Sequence, residues 1–264
     1  MQSDKQTALI TGASSGIGYE LSKVFAAGGF NLILVARNQV QLETIASGFR
    51  QSDGVNVAVC PADLSKPAAA QELYDELQAQ KVEVDVLVNN AGFGLNESFT
   101  TTDMVRQEEM IRLNITALVQ LCRLFGADME NRGSGKILNV ASTAAFQPGP
   151  FMSTYYASKA YVLMFTEALH TELKPRGVLV STLCPGPTKT GFFRQADMQS
   201  SFLAGNMLVM PADKVARAGY RGLIKGKRVI IPGLLNKAGV FAVRFFPRSL
   251  VCILVSSMNR KRGK

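Results

Sequence analysis

The feature that most constrains this chain is the alternation of short apolar runs with longer helical patterns along most of its 264 residues. Several short runs are almost continuous Val, Ile and Leu, which is typical of parallel strands buried on both faces. The predicted strands are residues 8–10, 31–36, 55–60, 84–88, 136–140, 178–183 and 228–231. The predicted helices are residues 16–27, 39–51, 67–79, 102–131 and 154–176. This alternation predicts an α/β fold with a doubly wound parallel sheet flanked by helices.

The size and composition of the chain suit a single globular unit. It is 47% hydrophobic and 19% charged, so it can bury a sizeable core. We predict a Rossmann-type domain over residues 1–232 and an extension over residues 233–264. The Phe-, Met- and Gln-rich segment at about residues 188–211 follows a strand end, where ligands bind in such folds, and we expect it to form a substrate lid.

Basic residues are concentrated near the C-terminus of a chain whose formal net charge is +9. No acidic residue follows Asp213, whereas the basic ones are Lys214, Arg217, Arg221, Lys225, Lys227, Arg228, Lys237, Arg244, Arg248, Arg260, Lys261, Arg262 and Lys264. Such an end can meet an anionic lipid surface, an acidic ligand or nucleic acid, or it can be a solvated tail. The extension is apolar and then basic, so it can cover a substrate pocket, form a subunit contact or lie on a membrane.

The cysteines and the lone histidine argue against a metal site. Cys60, Cys122, Cys184 and Cys252 are far apart, and His170 is the only histidine. We expect free thiols in a reducing compartment. The N-terminal residues show no signal-peptide pattern, so we expect a cytoplasmic protein, with peripheral membrane contact through the tail left open.

A glycine-rich turn, T-G-A-S-S-G-I-G, follows the first predicted strand and opens the first predicted helix. A helix N-terminus offers unpaired N–H groups and a partial positive charge, which suit a pyrophosphate. Gly12 allows the tight turn, Gly16 lets the backbone approach the phosphates, and Gly18 permits close packing of helix on sheet. The predicted cofactor contacts here are Gly12, Ser14, Ser15, Gly16, Ile17 and Gly18. The alternative interpretation is a purely structural strand–helix turn.

The end of the second predicted strand favours NADP over NAD. NAD enzymes usually carry Asp or Glu about 20 residues beyond the turn, where it accepts from the ribose 2′-OH. This chain has no acidic residue there before Glu43, and Arg37 lies 19 residues after Gly18. A guanidinium at that position would pair with a 2′-phosphate. The alternative is that Arg37 is a solvated residue at a strand end.

The stretch S-T-Y-Y-A-S-K contains a candidate acid–base pair. Tyr155 and Lys159 are four residues apart on a predicted helix and therefore share one face. A nearby ammonium lowers the pKa of a tyrosine, which would allow proton exchange near neutral pH. Ser142, at the end of a predicted strand, can donate to a carbonyl oxygen as charge builds there. Tyr156 and Tyr161 lack the four-residue spacing to Lys159.

Together these motifs resemble the short-chain dehydrogenase/reductase family over roughly residues 6–190. The matching motifs, in order, are T-G-A-S-S-G-I-G, Asp63-Leu64, N-N-A-G at 89–92, Asn114 in R-L-N-I-T, Ser142, Tyr155, Lys159 and P-G-P-T-K-T at 185–190. The resemblance implies that Tyr155 is the general acid in carbonyl reduction and the base in alcohol oxidation, and that Ser142 polarises the carbonyl. It implies that Lys159 binds the nicotinamide ribose, and that Asn114 holds a water linking Lys159 to solvent.

The resemblance also implies cofactor contacts beyond the glycine turn. They are Asp63 and Leu64 for the adenine, Asn90, Ala91 and Gly92 for the adenosine ribose, and Pro185, Gly186, Thr188 and Thr190 for the nicotinamide carboxamide. Structural alternatives are a simple turn at N-N-A-G, a helix cap at Asp63 and helix filler at Asn114. Many relatives have a basic residue where this chain has Ser15, so selection of NADP would rest mainly on Arg37.

These features predict an NADPH-preferring oxidoreductase that acts on a hydrophobic ketone, aldehyde or alcohol. The nearest alternative is a 3-oxoacyl-type reductase, and a further one is a non-catalytic NADP-binding module whose tail engages a membrane or protein partner. Nucleic-acid binding lacks the interleaved aromatic residues that would support it. The apolar faces of the predicted helices at 102–131 and 154–176, which pair between subunits in relatives, predict a homodimer or homotetramer.

Overall fold

A parallel sheet forms the centre of the protein, whose computed structural model describes residues 5–192 and 209–260. Its strands are β1 (Thr7–Thr11), β2 (Asn31–Ala36), β3 (Val57–Pro61), β4 (Val86–Asn89), β5 (Gly135–Val140), β6 (Val178–Leu183) and β9 (Val229–Ile230). They run in the order β3-β2-β1-β4-β5-β6-β9, and every neighbouring pair is parallel. The predicted doubly wound α/β fold is therefore confirmed.

Helices surround this sheet. They are α1 (Gly16–Ala27), α2 (Gln39–Asp53), α3 (Ala69–Ala79), α4 (Met104–Ile111), α5 (Leu118–Arg132), α6 (Ser153–Leu173), α7 (Ala212–Ile224), α8 (Leu234–Ala242) and α9 (Arg248–Asn259). The helix expected at residues 102–131 is present, but a π-helical turn at Arg112–Ala117 joins its two halves. Such turns occur frequently at functional sites. The helix expected from residue 67 begins two residues later.

Alternate residues of each strand pack into two separate apolar layers. In β1 and β2, Leu9 and Ile33 face the layer that α3, α5 and α6 cover. Ile10 and Leu34 face the layer that α1, α2 and α7 cover. Because both faces are buried, the strands need apolar residues at nearly every position, which explains their continuous Val, Ile and Leu runs.

The helix from Met104 to Arg132 is, within the described ranges, the one segment long and apolar enough to cross a membrane. Its residues Leu121, Phe125 and Met129 are buried in the core beside the sheet. Packing inside the protein accounts for this apolar composition.

The C-terminal helices fold back onto the carboxyl edge of the sheet. Val251 and Val255 of α9 are buried in a third apolar cluster that contains Phe93, Met152 and Tyr155. Two short strands, β7 (Thr188–Lys189) and β8 (Met210–Pro211), pair in parallel at the two ends of the expected lid. Residues 193–208 of that expected lid lie outside the described residues.

Candidate active site

A cleft of about 1010 Å³ lies at the carboxyl edge of the sheet. β1 is flanked by β2 on one side and β4 on the other, so successive connections leave it in opposite directions. Ligands bind at such switch points because the two connections separate and leave a crevice. The glycine turn after β1 forms part of the wall, and α8 and α9 form another part.

Most of the predicted site residues line this cleft. They are Gly12, Ser14, Ser15, Gly16, Ile17, Arg37, Asp63, Leu64, Asn90, Ala91, Gly92, Ser142, Tyr155, Lys159, Pro185, Gly186, Thr188 and Thr190. Two predicted residues, Gly18 and Asn114, are not among the lining residues and have neighbours inside the protein.

The backbone of the glycine turn fits an anionic ligand. Gly12 and Gly16 have φ values of +66° and +56°, a region that L side chains rarely adopt. A Cβ atom at Gly18 would collide with the carbonyl oxygen of Gly12, so this glycine allows helix and turn to touch. Ser15 precedes α1 but makes no capping hydrogen bond within the described part of the chain. The first-turn N–H groups of α1 therefore suit a pyrophosphate.

Hydrogen bonds between the ends of β1 and β4 hold this turn in place. The Nδ2 group of Asn90 donates to the carbonyl oxygens of Thr11 at 2.9 Å and Gly12 at 3.3 Å. The Oγ1 atom of Thr11 accepts from the backbone N–H groups of Asn90 and Ala91, at 2.9 and 3.0 Å. Thr11 is thus a positioning residue that the sequence interpretation missed, although it is the first letter of the glycine motif.

One wall of the cleft, beside the glycine turn, is polar and carries the positive charge of Arg37. Arg37 follows β2, is exposed and lines the cleft beside Asn38 and Gln41. The Nε2 group of Gln41 donates to the carbonyl oxygen of Ser14 at 2.9 Å, which joins the start of α2 to the glycine turn. Asn38 and Gln41 carry no motif signal and were not predicted as site residues.

Asp63 lies beside this wall as a carboxylate. Its Oδ1 atom accepts from the backbone N–H and the hydroxyl of Ser65, at 3.1 and 2.7 Å. Burial acts to raise the pKa of Asp63, but the Ser65 hydrogen bonds and the charges of Arg37 and Lys66 together lower it below its usual value. The carboxylate is therefore an acceptor at neutral pH.

Three polar side chains meet at the other end of the cleft. Ser142 follows β5, while Tyr155 and Lys159 lie one turn apart on α6. The Oγ atom of Ser142 donates to the carbonyl oxygen of Pro185 at 3.4 Å and accepts from the N–H of Ala144 at 3.1 Å. The Nζ atom of Lys159 donates to the carbonyl oxygen of Val140 at 2.9 Å and lies 5.9 Å from the centre of the Tyr155 ring. Tyr156, on the neighbouring face of α6, instead donates to Oδ1 of Asn259 at 3.4 Å.

The expectation that Lys159 lowers the pKa of Tyr155 is wrong for the protein by itself. Burial, the largest effect, raises the pKa of Tyr155, and the nearby Ser142 hydroxyl offsets only part of that rise. Lys159 is buried as well, and burial lowers its pKa to about 8. Both shifts have the same cause, because a site with little water disfavours whichever form of a group is charged. Tyr155 is therefore a protonated phenol at neutral pH.

Asn114 lies in the π-helical turn and is bonded to protein groups. Its Nδ2 atom donates to the carbonyl oxygen of Phe93 and to the hydroxyl of Ser158, at 3.0 and 3.1 Å, and its Oδ1 atom accepts from the Phe93 N–H at 3.1 Å. A Cβ atom at Gly92 would lie 2.9 Å from this Oδ1 and 3.4 Å from Nζ of Lys159. Asn114 thus positions the segment after β4 against Lys159, while the water relay implied by the resemblance remains a prediction.

Apolar residues surround the reactive end of the cleft. The Tyr155 ring packs against Phe192, with 5.3 Å between ring centres. The cleft is also lined by Met152 and by residues of α9, among them Val251 and Val255. These side chains were not predicted individually, because the sequence pattern of the extension does not show what it packs against.

The fold and this site are those of a nucleotide-dependent oxidoreductase class. The chain belongs to the short-chain dehydrogenase family, since the family model described as "short chain dehydrogenase" matches residues 6–200. The predicted family is therefore confirmed. Members of this family act on CH–OH and C=O groups, and the chain is an oxidoreductase of that class.

Known proteins of the family match the chain over different fractions of its length and of their own. Ketoacyl reductase HetN of Nostoc sp. is 33% identical over 201 residues, which cover 76% of this chain and 70% of that protein. The 17-beta-hydroxysteroid dehydrogenase type 3 of Mus musculus is 34% identical over 70% of this chain, but the match spans only 61% of that protein. A solved short-chain dehydrogenase from Sphingobium yanoikuyae in complex with NADPH is 34% identical, with a TM-score of 0.83 and coverage of 93% and 94% of the two chains.

Proposed function

We propose that this protein is an NADP-dependent reductase or dehydrogenase of hydrophobic carbonyl and hydroxyl compounds. The observation that supports this proposal best is that Ser142, Tyr155 and Lys159 lie in one cleft with the glycine turn. A non-catalytic NADP-binding module would have no chemical use for a buried phenol, hydroxyl and ammonium beside each other.

In the proposed reaction the chain supplies proton transfer and charge stabilisation. NADPH, when bound, supplies a hydride to the carbonyl carbon. Tyr155 gives its phenolic proton to the carbonyl oxygen, and the hydroxyl of Ser142 donates a hydrogen bond to the same oxygen as negative charge develops. Lys159 would hold the ribose hydroxyls of the bound cofactor through its ammonium group. Tyr155 is protonated at neutral pH in the free protein, as the proton donor in carbonyl reduction must be.

The preference for NADP rests on Arg37. Its exposed guanidinium lines the adenosine end of the cleft, where a 2′-phosphate would lie. Asp63 is the nearby carboxylate, but it already accepts two hydrogen bonds from Ser65. The related Sphingobium yanoikuyae protein was solved with NADPH, which supports the same cofactor here.

Removing this guanidinium should weaken NADPH binding and leave NADH binding unchanged. We expect Arg37→Ala to raise the Kd of NADPH about tenfold, since a hydrogen bond to a charged group is worth roughly 1.5 kcal/mol at the low end. Fluorescence titration of both cofactors measures the effect. Arg123→Ala, an exposed site on α5 outside the cleft, is the matched control. Equal losses for NADPH and NADH would contradict the assignment.

Cofactor affinity should also depend on pH through Lys159. Its pKa is lowered to about 8 by burial, so the ammonium loses its proton as the pH rises through that value. If only the ammonium form binds the ribose, the Kd of NADPH rises about tenfold from pH 7 to pH 9. Calorimetric titration across this range measures the step, and Lys159→Met should show weak binding without it. A step of equal size in Lys159→Met would contradict the assignment to this residue.

The ionisation of Lys159 also makes the stability of the folded protein depend on pH. The folded-state pKa of Lys159 lies below the unfolded value of 10.5, so burial of the charged form costs stability below about pH 8. Lys159 therefore makes the fold more stable as the pH rises from about 8 towards 10.5.

The substrate class follows from the apolar wall of the cleft. Met152, Phe192, Val251 and Val255 leave few polar partners near Tyr155, so a hydrophobic ketone or aldehyde fits better than a sugar or a charged acid. A 3-oxoacyl substrate is the second candidate, because its acyl chain suits the same wall and a related protein is named a ketoacyl reductase. Oxidation of NADPH with ketones of graded chain length tests the proposal, and turnover confined to charged or sugar carbonyls would contradict it.

We also propose that the protein forms a homodimer or homotetramer and is located in the cytoplasm. Exposed apolar side chains on α4 and α6 support the subunit contact, and they are Met104, Val105, Ile111, Tyr161 and Met164. The free cysteines of the described residues suit a reducing compartment.

A further inference from the structure

The C-terminal helices expose a group of large apolar side chains. This tail surface is formed by α8, the turn Val243–Phe245 and α9, and consists of Leu234, Leu235, Phe241, Phe245, Phe246, Leu250, Ile253 and Leu254. Phe245 is 72% exposed and Ile253 67% exposed, and the rings of Phe241 and Phe245 pack on each other with their centres 5.0 Å apart. Exposed apolar patches of this kind mark sites where another body binds.

Only positive charges accompany the tail surface. Lys237, Arg244, Arg248 and Arg260 are exposed, and none of them forms an ion pair within the part of the chain that the structure describes. No acidic residue follows Asp213 in the sequence to balance them. Apolar side chains combined with unpaired cations are complementary to a bilayer that carries anionic headgroups.

The tail surface is continuous with the mouth of the cleft. Leu235, Phe246 and Leu254 are exposed members of this surface, and all three also line the cleft that contains Tyr155. A membrane or a partner protein that binds the tail surface would therefore also cover the opening through which an apolar substrate reaches Tyr155.

We propose that the tail surface docks on an anionic lipid bilayer and turns the mouth of the cleft towards it. α9 has 12 residues, too few for the about 20 that span a bilayer, so it would lie in the interface. The docking itself does not depend on catalysis. Delivery of an apolar substrate from the bilayer rests on the proposed function.

The charges of the tail surface oppose its use as a contact between two copies of the chain. A two-fold contact brings the same patch of both subunits together. The cations of one patch would then meet the cations of the other, with no acidic residue of either patch to pair with, and like charges across an interface are costly. The headgroups of an anionic bilayer supply the negative charges that a second copy of this patch lacks.

Vesicle binding by the whole 264-residue chain tests the docking. We expect it to sediment with vesicles of phosphatidylglycerol mixed with phosphatidylcholine, to bind far less to phosphatidylcholine alone, and to be released by added salt. Phe245→Ser combined with Ile253→Ser should lower partitioning at least tenfold, since each side chain loses its apolar contact with the lipid. Neither residue lines the cleft. Val40→Ser, 78% exposed on α2, is the apolar control and should leave partitioning unchanged.

A second set of variants tests the contribution of the positive charges to vesicle binding, and it has its own control. Arg244→Gln combined with Arg248→Gln should lower partitioning about fivefold for each charge removed. Lys225→Gln combined with Lys227→Gln removes the same charge from exposed positions after α7, outside the tail surface, and should have little effect. Equal losses in both pairs would mean non-specific attraction and would overturn the proposal.

Further outcomes separate the docking from the proposed function. Tyr155→Phe should bind vesicles as the wild type does, whatever its turnover. Normal reduction of a soluble ketone without vesicle binding would overturn the docking alone. A dimer that dissociates in Phe245→Ser with Ile253→Ser, together with no vesicle binding, would assign the surface to a second copy and overturn the proposal.

Discussion

Tyr155→Phe should lower the kcat of carbonyl reduction by roughly 10²- to 10⁴-fold, the usual contribution of a positioned general acid. The substitution removes only the hydroxyl and keeps the ring that packs on Phe192. The cleft therefore keeps its shape, and the Kd of NADPH should change little. Steady-state NADPH oxidation and cofactor titration of the same variant separate the two effects.

Tyr156→Phe is the matched control for this prediction. Tyr156 is buried on the same helix, but its hydroxyl points to Asn259 rather than to Ser142. We expect its kcat to stay within about threefold of the wild type, because no proton transfer depends on it. A loss in Tyr156→Phe as large as that in Tyr155→Phe would remove Tyr155 from its catalytic role.

The strands and the catalytic residues could be predicted from the sequence because both depend on short-range patterns. Continuous apolar runs such as 31–36 reflect burial on both faces, and β2 has these same bounds. Ser142, Tyr155 and Lys159 could be placed at one sheet edge because the carboxyl ends of parallel strands share that edge. The family match over residues 6–200 coincides with the region that carries these motifs.

Three features escaped the sequence because tertiary contacts decide them. The π-helical turn at Arg112–Ala117 has no apolar period of its own and is accompanied by bonds between Asn114 and Phe93. The pKa of Tyr155 depends on how far α6 is buried, which the four-residue spacing to Lys159 does not reveal. The path of α9 depends on the surface it meets rather than on its own composition.

Removal of α9 should have the second large effect, and it should depend on substrate. A chain ending at Pro247 loses Val251 and Val255, which pack against Phe93, Met152 and Tyr155. Val251 and Val255 also line the cleft, and loss of about 2.7 kcal/mol of apolar contact between this wall and a long-chain ketone, roughly the burial of one such side chain, would lower its kcat/KM about a hundredfold. A short ketone, which does not reach this wall, should lose much less. The ratio of kcat/KM for the two ketones measures the effect.

A point substitution tests the same role in the intact chain. Asn259 ends α9 and is fully buried. Its Nδ2 atom donates to the carbonyl oxygen of Pro150 at 3.0 Å, and its backbone carbonyl accepts from Asn96 at 2.9 Å. Asn259→Ala leaves Pro150 and Tyr156 without this partner, which costs roughly 1–3 kcal/mol of stability. Ser257→Ala, exposed on the same helix, is the control.

The kinetic signature decides whether α9 forms the substrate wall or only stabilises the fold. As a wall, its loosening in Asn259→Ala should raise the KM of the long-chain ketone several-fold while kcat and the short-ketone KM stay close to wild type. A helix that only stabilises the fold would lower the melting temperature and reduce the activity towards both ketones alike. That second pattern would contradict the assignment, because Val251 and Val255 would then contact the protein without contacting the substrate.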